Sequence, residues 1–230
     1  MRILTDPLLR GRFVHVNRRV APVNPAAIED IDVVLVSHSH HDHLDRPSLR
    51  MVGRNATVLV PRGARRLLPG RSIGRLEEVV EGDRRTVGPI EVDVTHADHR
   101  PGRILHRGPA AIGFSIVGTR RLYFAGDTDL FPEMRDLSPG LDVALLPISG
   151  WGTHLGAGHL DPVRAARALT LLEPKVAVPI HWGTFLSMRI RRPAPSVLTE
   201  PARQFAREAS AIAPDVDVRV LAPGEATVVE

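Results

Sequence analysis

Short apolar runs punctuated by turn residues recur along the chain at 33–36, 57–60, 90–94, 111–117, 121–125, 143–146, 176–180 and 216–221, and each reads as a strand. Helical periodicity is rarer. The stretch 161–174 (DPVRAARALTLLEP) opens with Asp161 as N-cap and Pro162 at the first helical position, and Pro174 stops it. Residues 199–212 make a second helix. Strands therefore dominate a mixed α and β chain. No internal repeat, low-complexity run or long linker interrupts the pattern, although RIRRPAPS (189–196) is a basic, proline-containing loop. Residues 1–230 read as one domain.

With 230 residues, 43% of them hydrophobic, the chain can fill a substantial core. It contains no cysteine, so disulfides are excluded and any metal must be held by histidine nitrogen and carboxylate oxygen. The amino terminus, MRILTDPLLRGRF, lacks the apolar run of a signal peptide, and no apolar stretch approaches the ~20 residues that span a bilayer. A cytoplasmic protein is the expectation. The formal net charge is +4, and Lys175 is the only lysine among 30 basic residues. A coding bias toward arginine explains that composition, yet arginine's fork also suits phosphate and carboxylate, which points to a small anionic substrate. Nucleic acid is not expected as a partner, because the basic residues are scattered and only 4% of the chain is aromatic for base stacking.

One stretch changes the picture. SHSHHDHLD (37–45) concentrates four of the chain's 11 histidines and two aspartates on the loop that ends the apolar strand IDVVLV. A strand end exposes side chains while a rigid element holds them, which favours chemistry there. THADH (95–99) follows the strand IEVDV, FAGDTD (124–129) completes RLYFA, and PIHWGTF (179–185) follows KVAV. Alone, His181 or Asp127 would be an ordinary loop residue. Four strand ends carrying histidine or aspartate are different, since a sheet gathers its strand ends along one edge. Imidazole and carboxylate suit zinc, manganese and iron, and a set this size can hold two ions about 3.5–4 Å apart.

H-x-H-x-D-H at 38–43, a later histidine, the aspartate of GDT and a final histidine resemble the metallo-β-lactamase superfamily of hydrolases. The details look closest to the branch containing N-acyl-phosphatidylethanolamine phospholipase D and the bacterial ascorbate-6-phosphate lactonases. Nearly the whole chain takes part: TDP near the start, SHSHHDHLD, THADH with Arg103 four residues on, FAGDTD, GHLDP (158–162) and IHWGTF. The resemblance implies an α+β fold, an αββα sandwich of two mixed sheets flanked by helices, with metals at one edge. It makes His38, His40 and His99 ligands of one divalent ion, Asp42, His43 and His181 ligands of a second, and Asp127 a bridge. At the third motif His96 competes with His99, and the alignment favours His99. His41 is expected to point away.

Two such ions would share a water acidified enough to attack at neutral pH, with Asp42 also orienting it. Asp6, in the TDP strand, either supports a ligand histidine or is a turn residue before Pro7. Arg103 is either a phosphate-holding fork or a surface arginine, and His159 either donates a proton to a leaving alkoxide or supports the helix cap at Asp161. Trp182 and Phe185 either wall a pocket or pack in the core. Many β-lactamases of the superfamily carry cysteine where this chain has Asp127, so antibiotic hydrolysis is not expected. About 50 residues separate Asp127 from His181, too few for the inserted domain of the superfamily's nucleases. The expected activity is phosphodiester hydrolysis, with a sugar-phosphate lactonase as the alternative and a non-catalytic metal- or nucleic-acid-binding protein as the remote one. FLSMRIRRPAP (185–195) mixes apolar and basic residues and offers a peripheral membrane contact. Relatives also make a homo-oligomer conceivable.

Overall fold

The computed structural model describes residues 1–68, 73–99, 108–152, 155–194 and 196–230. In chain order its first strands are β1 (Ile3–Thr5), β2 (Arg12–Phe13), β3 (Val16–Arg18), β4 (Val33–Leu35), β5 (Thr57–Pro61), β6 (Arg75–Val79) and β7 (Arg84–Val87). There follow β8 (Ile90–His96), β9 (Ile112–Val117), β10 (Arg121–Phe124), β11 (Val143–Pro147), β12 (Val176–Ile180), β13 (Phe185–Ser187) and β14 (Asp217–Val218). The helices are α1 (Arg46–Val52), α2 (Pro162–Leu172) and α3 (Glu200–Ile212).

Two sheets face each other. The first has the order β1-β4-β5-β6 and is parallel throughout. The second, β14-β12-β11-β10-β9-β8-β7, is mixed: parallel from β14 to β10 and antiparallel from there to β7. Successive side chains of a strand point to opposite faces, and β4 shows how the layers follow. Val33 and Leu35 turn inward to join Val92, Val94, Ile112, Phe114 and Phe124 between the sheets. Val34 and Val36 turn outward under Leu44 and Leu49, where α1 covers the first sheet. On the far side, Tyr123, Ala144, Leu146 and Ala177 pack against α2 and α3 through Ala166, Leu169, Leu172, Phe205 and Ala209. The αββα sandwich is therefore the observed architecture.

Helix α2 begins as its sequence dictates, with the Arg164 N–H donating to the Asp161 carboxylate at 2.8 Å. Helix α1 has the same device: the Ser48 N–H donates to Asp45, which is buried and also held by Nε and Nη2 of Arg10. The stretch read as a strand at 216–221 pairs only at Asp217–Val218, at the sheet's edge against the first two residues of β12. A third, three-stranded antiparallel sheet, β13-β3-β2, lies outside the two main ones. It absorbs the start of the FLSMRIRRPAP segment: Leu186 and Ser187 are buried, while Met188 is 48% exposed. No helix among the described residues is long and apolar enough to cross a membrane.

The parallel strands β4, β10, β11 and β12 and the antiparallel β8 all deliver their following loops to one edge of the sandwich. Closure at that edge is tight. Gly126 has φ +62, and a Cβ there would stand 2.4 Å from the Cβ of Ser37. Gly126→Ala must therefore strain the backbone and push the two loops apart, an overpacking cost of roughly 1–3 kcal/mol. Thermal or denaturant unfolding checks it, with a drop in stability of that size expected.

Candidate metal centre

The loop after β4 supplies His38, His40, Asp42 and His43; those after β8, β10 and β12 supply His99, Asp127 and His181. Their ligand-capable atoms fall into groups lying within 4.8 Å of one another. His38, His40, His99 and Asp127 form one group and Asp42, His43 and His181 another. In the first, His38 Nε2 is 2.9 Å and His99 Nε2 3.3 Å from His40 Nδ1. In the second, His181 Nε2 lies 3.0 Å from His43 Nε2, and each is 3.5 Å from Asp42 Oδ2. Asp127 stands between them: Oδ2 is 3.2 Å from His43 Nε2 and 3.8 Å from His38 Nε2, and Oδ1 is 3.7 Å from His181 Nε2.

Hydrogen bonds on the far side of three of the rings fix which nitrogen faces inward. His99 Nδ1–H donates to the Gly158 carbonyl at 2.6 Å, and His43 Nδ1–H donates to Asp6 Oδ2 at 2.7 Å. Ser37 donates its N–H to Asp6 Oδ1 and its hydroxyl to Asp6 Oδ2, so the hydroxyl oxygen is left to accept from His38 Nδ1–H at 3.0 Å. Each of these three rings thus presents Nε2 as a lone pair toward the centre. Asp6 also lies within ligand distance of His38 and His43. Its two oxygens already accept three hydrogen bonds, so its place is behind these two rings, steadying His43 directly and His38 through Ser37. Backbone strain accumulates here too: Asp6 and His181 both have positive φ, 37° and 61°.

Fit to a cation can be judged from two features. Imidazole lone pairs converge with no proton donor to satisfy them all, and Asp127 Oδ1, fully buried, has no hydrogen-bond partner among the described residues. A buried carboxylate oxygen without a donor is costly unless a cation meets it. The electrostatics agree. Burial, with neighbouring imidazoles, holds His38 well below the usual histidine range and His40 at about 4, and burial also lowers His99, so all three stay neutral, the form that binds metal. At the second group burial pushes the same way, but Asp127 and Asp42 outweigh it and raise His43 and His181. Asp42 and Asp127 would be raised by burial, yet His43 and His181 hold both well below the carboxylate range. The second group concentrates negative charge that protons answer when no other cation does.

The remaining candidates sort as follows. His159 Nδ1–H donates to the Gly156 carbonyl at 3.0 Å, leaving Nε2 3.5 Å from Asp127 Oδ2, and its ring meets His99 edge-on at 4.6 Å. His96 turns away, bonded to Glu81 at 2.9 Å and packed on Phe131. His41 is exposed and borders a cavity without joining either group. Arg103 lies outside the described residues. Trp182 and Phe185 both line a cavity, and Trp182 packs on the core as well. Trp151 carries no sequence signal of a role here. Its indole N–H donates to Asp42 Oδ2 at 3.1 Å, and nothing in the surrounding GWGT marks it for that task.

Two cavities open on this centre. One, of about 390 Å³, is bordered by His40, Asp127, His159, Val14 and Leu155. The other, of about 300 Å³, is bordered by Asp6, His43, Arg18, Phe185 and Trp182. Phe13, Asp42, Trp151 and His181 border both.

Comparison with known proteins converges on one family. Residues 1–182 match the beta-lactamase superfamily domain. A UPF0173 metal-dependent hydrolase of Archaeoglobus fulgidus is 33% identical over 98% of this chain and 90% of its own length, and one of Symbiobacterium thermophilum is 33% identical over 97% and 90%. Among solved structures, Igni18, a metallo hydrolase from Ignicoccus hospitalis, superposes with a TM-score of 0.63 at 25% identity, covering 85% of this chain and 78% of that one. An isothiocyanate hydrolase from Delia radicum gut bacteria shares the fold, with a TM-score of 0.71 at 16% identity over 97% and 90% of the two chains. With that fold, that edge of histidines and aspartates and those relatives, the chain belongs to the metallo-β-lactamase superfamily, among its UPF0173 metal-dependent hydrolases.

Proposed function

We propose that the chain hydrolyses a phosphodiester of a small molecule using two divalent ions. One would be held by His38, His40 and His99, the other by Asp42, His43 and His181, with Asp127 reaching both. The observation that carries this reading is the donorless Asp127 Oδ1, buried between two groups of inward-facing nitrogens. Zinc suits the donor set, and manganese or iron would also be accepted. Ions bound there would acidify a water and draw electron density from the substrate's phosphoryl oxygen.

The chain's own residues divide the rest of the work. Trp151 fixes Asp42 through Oδ2. That leaves Asp42 oriented toward the same space as Asp127, where it can accept a hydrogen bond from the attacking water. His159, tied to Gly156 through Nδ1, presents Nε2 beside Asp127 and, when protonated, can donate to the departing alkoxide. A phosphodiester needs that proton, because its leaving alkoxide is a strong base.

The test is a panel of bis(p-nitrophenyl) phosphate, a lactone and a thioester against the zinc-, manganese- and iron-loaded protein. Phosphodiester cleavage that disappears on chelation is expected. Lactone opening without phosphodiester cleavage would replace this reading with the lactonase, and silence from every metal form on every substrate would remove both.

A further inference from the structure

Arg18, at the end of β3, serves none of the roles above. Its guanidinium donates to the Leu8 carbonyl at 2.7 Å and, through Nε, to the Arg10 carbonyl at 3.3 Å, and it lies 4.7 Å from the centroid of the Phe185 ring. All three partners are neutral. Neighbouring Arg10, by contrast, is paired with the buried carboxylate of Asp45. No carboxylate among the described residues is paired with Arg18. Burial holds its pKa below the ordinary arginine value, the mark of a cation denied water without a counter-charge.

What makes this more than a tether is where the cation stands. Arg18 borders the 300 Å³ cavity together with Phe13, Trp151, Trp182 and Phe185, and the same cavity reaches Asp42 and His181 of the candidate metal centre. Five N–H groups are available on a guanidinium, and the two carbonyl bonds leave three of them. A partly desolvated fork with spare donors in an aromatic-walled cavity is a site for an oxyanion attached to an organic body.

We propose that Arg18 binds an anionic group of the substrate, a carboxylate or a phosphoryl group remote from the bond that is cleaved, with the adjoining organic part against the aromatic walls. The word substrate rests on the hydrolase reading; the anion preference of the cavity does not, and it can be measured without turnover. Trp151 and Trp182 are the only tryptophans in the chain, and both border the cavity, so intrinsic fluorescence reports its occupancy.

Metal-loaded wild type, Arg18→Gln and Arg18→Lys, at matched metal content, would be titrated with benzoate, phenylphosphonate and the neutral benzamide. Arg18→Gln is expected to weaken one or both anions about 10-fold or more while leaving benzamide unchanged, with Arg18→Lys between. The tighter anion tells carboxylate from phosphoryl. Equal anion binding by wild type and Arg18→Gln would overturn the proposal, as would an equal loss of benzamide. Should Arg18→Gln fail to fold, metal-loaded Arg18→Lys decides: anions weakened relative to benzamide support the proposal, and anion binding equal to wild type overturns it. Anion binding that depends on Arg18 in a protein that hydrolyses nothing would sink the hydrolase reading alone.

Discussion

Asp127→Asn is expected to abolish hydrolysis while leaving the protein folded. Asparagine keeps the volume and shape of the side chain, so the tightly packed neighbourhood around Gly126 and Ser37 is undisturbed. What disappears is the negative charge whose Oδ2 faces His38 at 3.8 Å and His43 at 3.2 Å, and one of the two oxygens, an NH₂ donor taking its place among nitrogens that are themselves waiting for a cation. With the carboxylate serving both ions, its neutralisation removes several kcal/mol of charge stabilisation, which at about 1.4 kcal/mol per decade is a loss of about 10³-fold or more in kcat/KM. Steady-state kinetics beside metal analysis and far-UV circular dichroism make the measurement. Unchanged turnover in the Asp127→Asn variant would mean that the carboxylate has no part in the chemistry.

Asp6→Asn is the second large effect, and it separates two explanations of one residue. Asp6 has φ 37, a conformation asparagine tolerates as well as aspartate. Were the residue there only for its turn, the substitution would be nearly neutral. It also accepts from the Ser37 N–H, the Ser37 hydroxyl and His43 Nδ1–H. A carboxamide cannot accept all three, because its NH₂ is itself a donor. Ring orientation is then lost at His43 directly and at His38 through Ser37, one in each ligand group. Metal affinity is expected to fall 10–100-fold, the usual cost of removing a carboxylate behind a ligand histidine. Isothermal titration of the stripped protein with zinc reads it, and an affinity within a factor of two of wild type would leave Asp6 a turn residue.

The strand ends of this site were legible because a buried strand announces where it stops. IDVVLV, IEVDV, RLYFA and KVAV each break from an apolar run into histidine or aspartate, and the fold places all four breaks on one edge. Helix α2 was equally plain, since Asp161, Pro162 and Pro174 mark both its ends. Other elements gave weaker signals for identifiable reasons. Strands β6 and β7, RLEEV and RRTV, are charged, and each lies at a sheet edge where polar residues discourage further pairing. The β2-β3 hairpin turns at Val14 and His15 without glycine or asparagine; Val14 adopts φ 44 instead, which a β-branched residue rarely does. Helix α1 is seven residues long and hides behind the histidine-rich stretch, although Asp45, Pro47 and Ser48 carry a capping pattern.

The centre itself divides along the same line. Residues that could touch a metal have a distinctive chemistry and were found from the sequence. Those that orient them do not: Ser37, Gly158 and Trp151 act through a hydroxyl, a backbone carbonyl and an indole N–H that any protein has in quantity. Only the packing of distant segments makes them partners, Trp151 being 109 residues from Asp42. Arg18 belongs with them, since one arginine among so many is visible only once its neighbours prove to be uncharged.

Metal stoichiometry tests the central claim most directly. Protein stripped with chelator, reloaded separately with zinc, manganese and iron, freed of excess ion and analysed by elemental mass spectrometry is expected to carry two equivalents per chain of at least one metal, and fewer in Asp127→Ala. Less than one equivalent under every loading condition, or two retained regardless of Asp127, would contradict it.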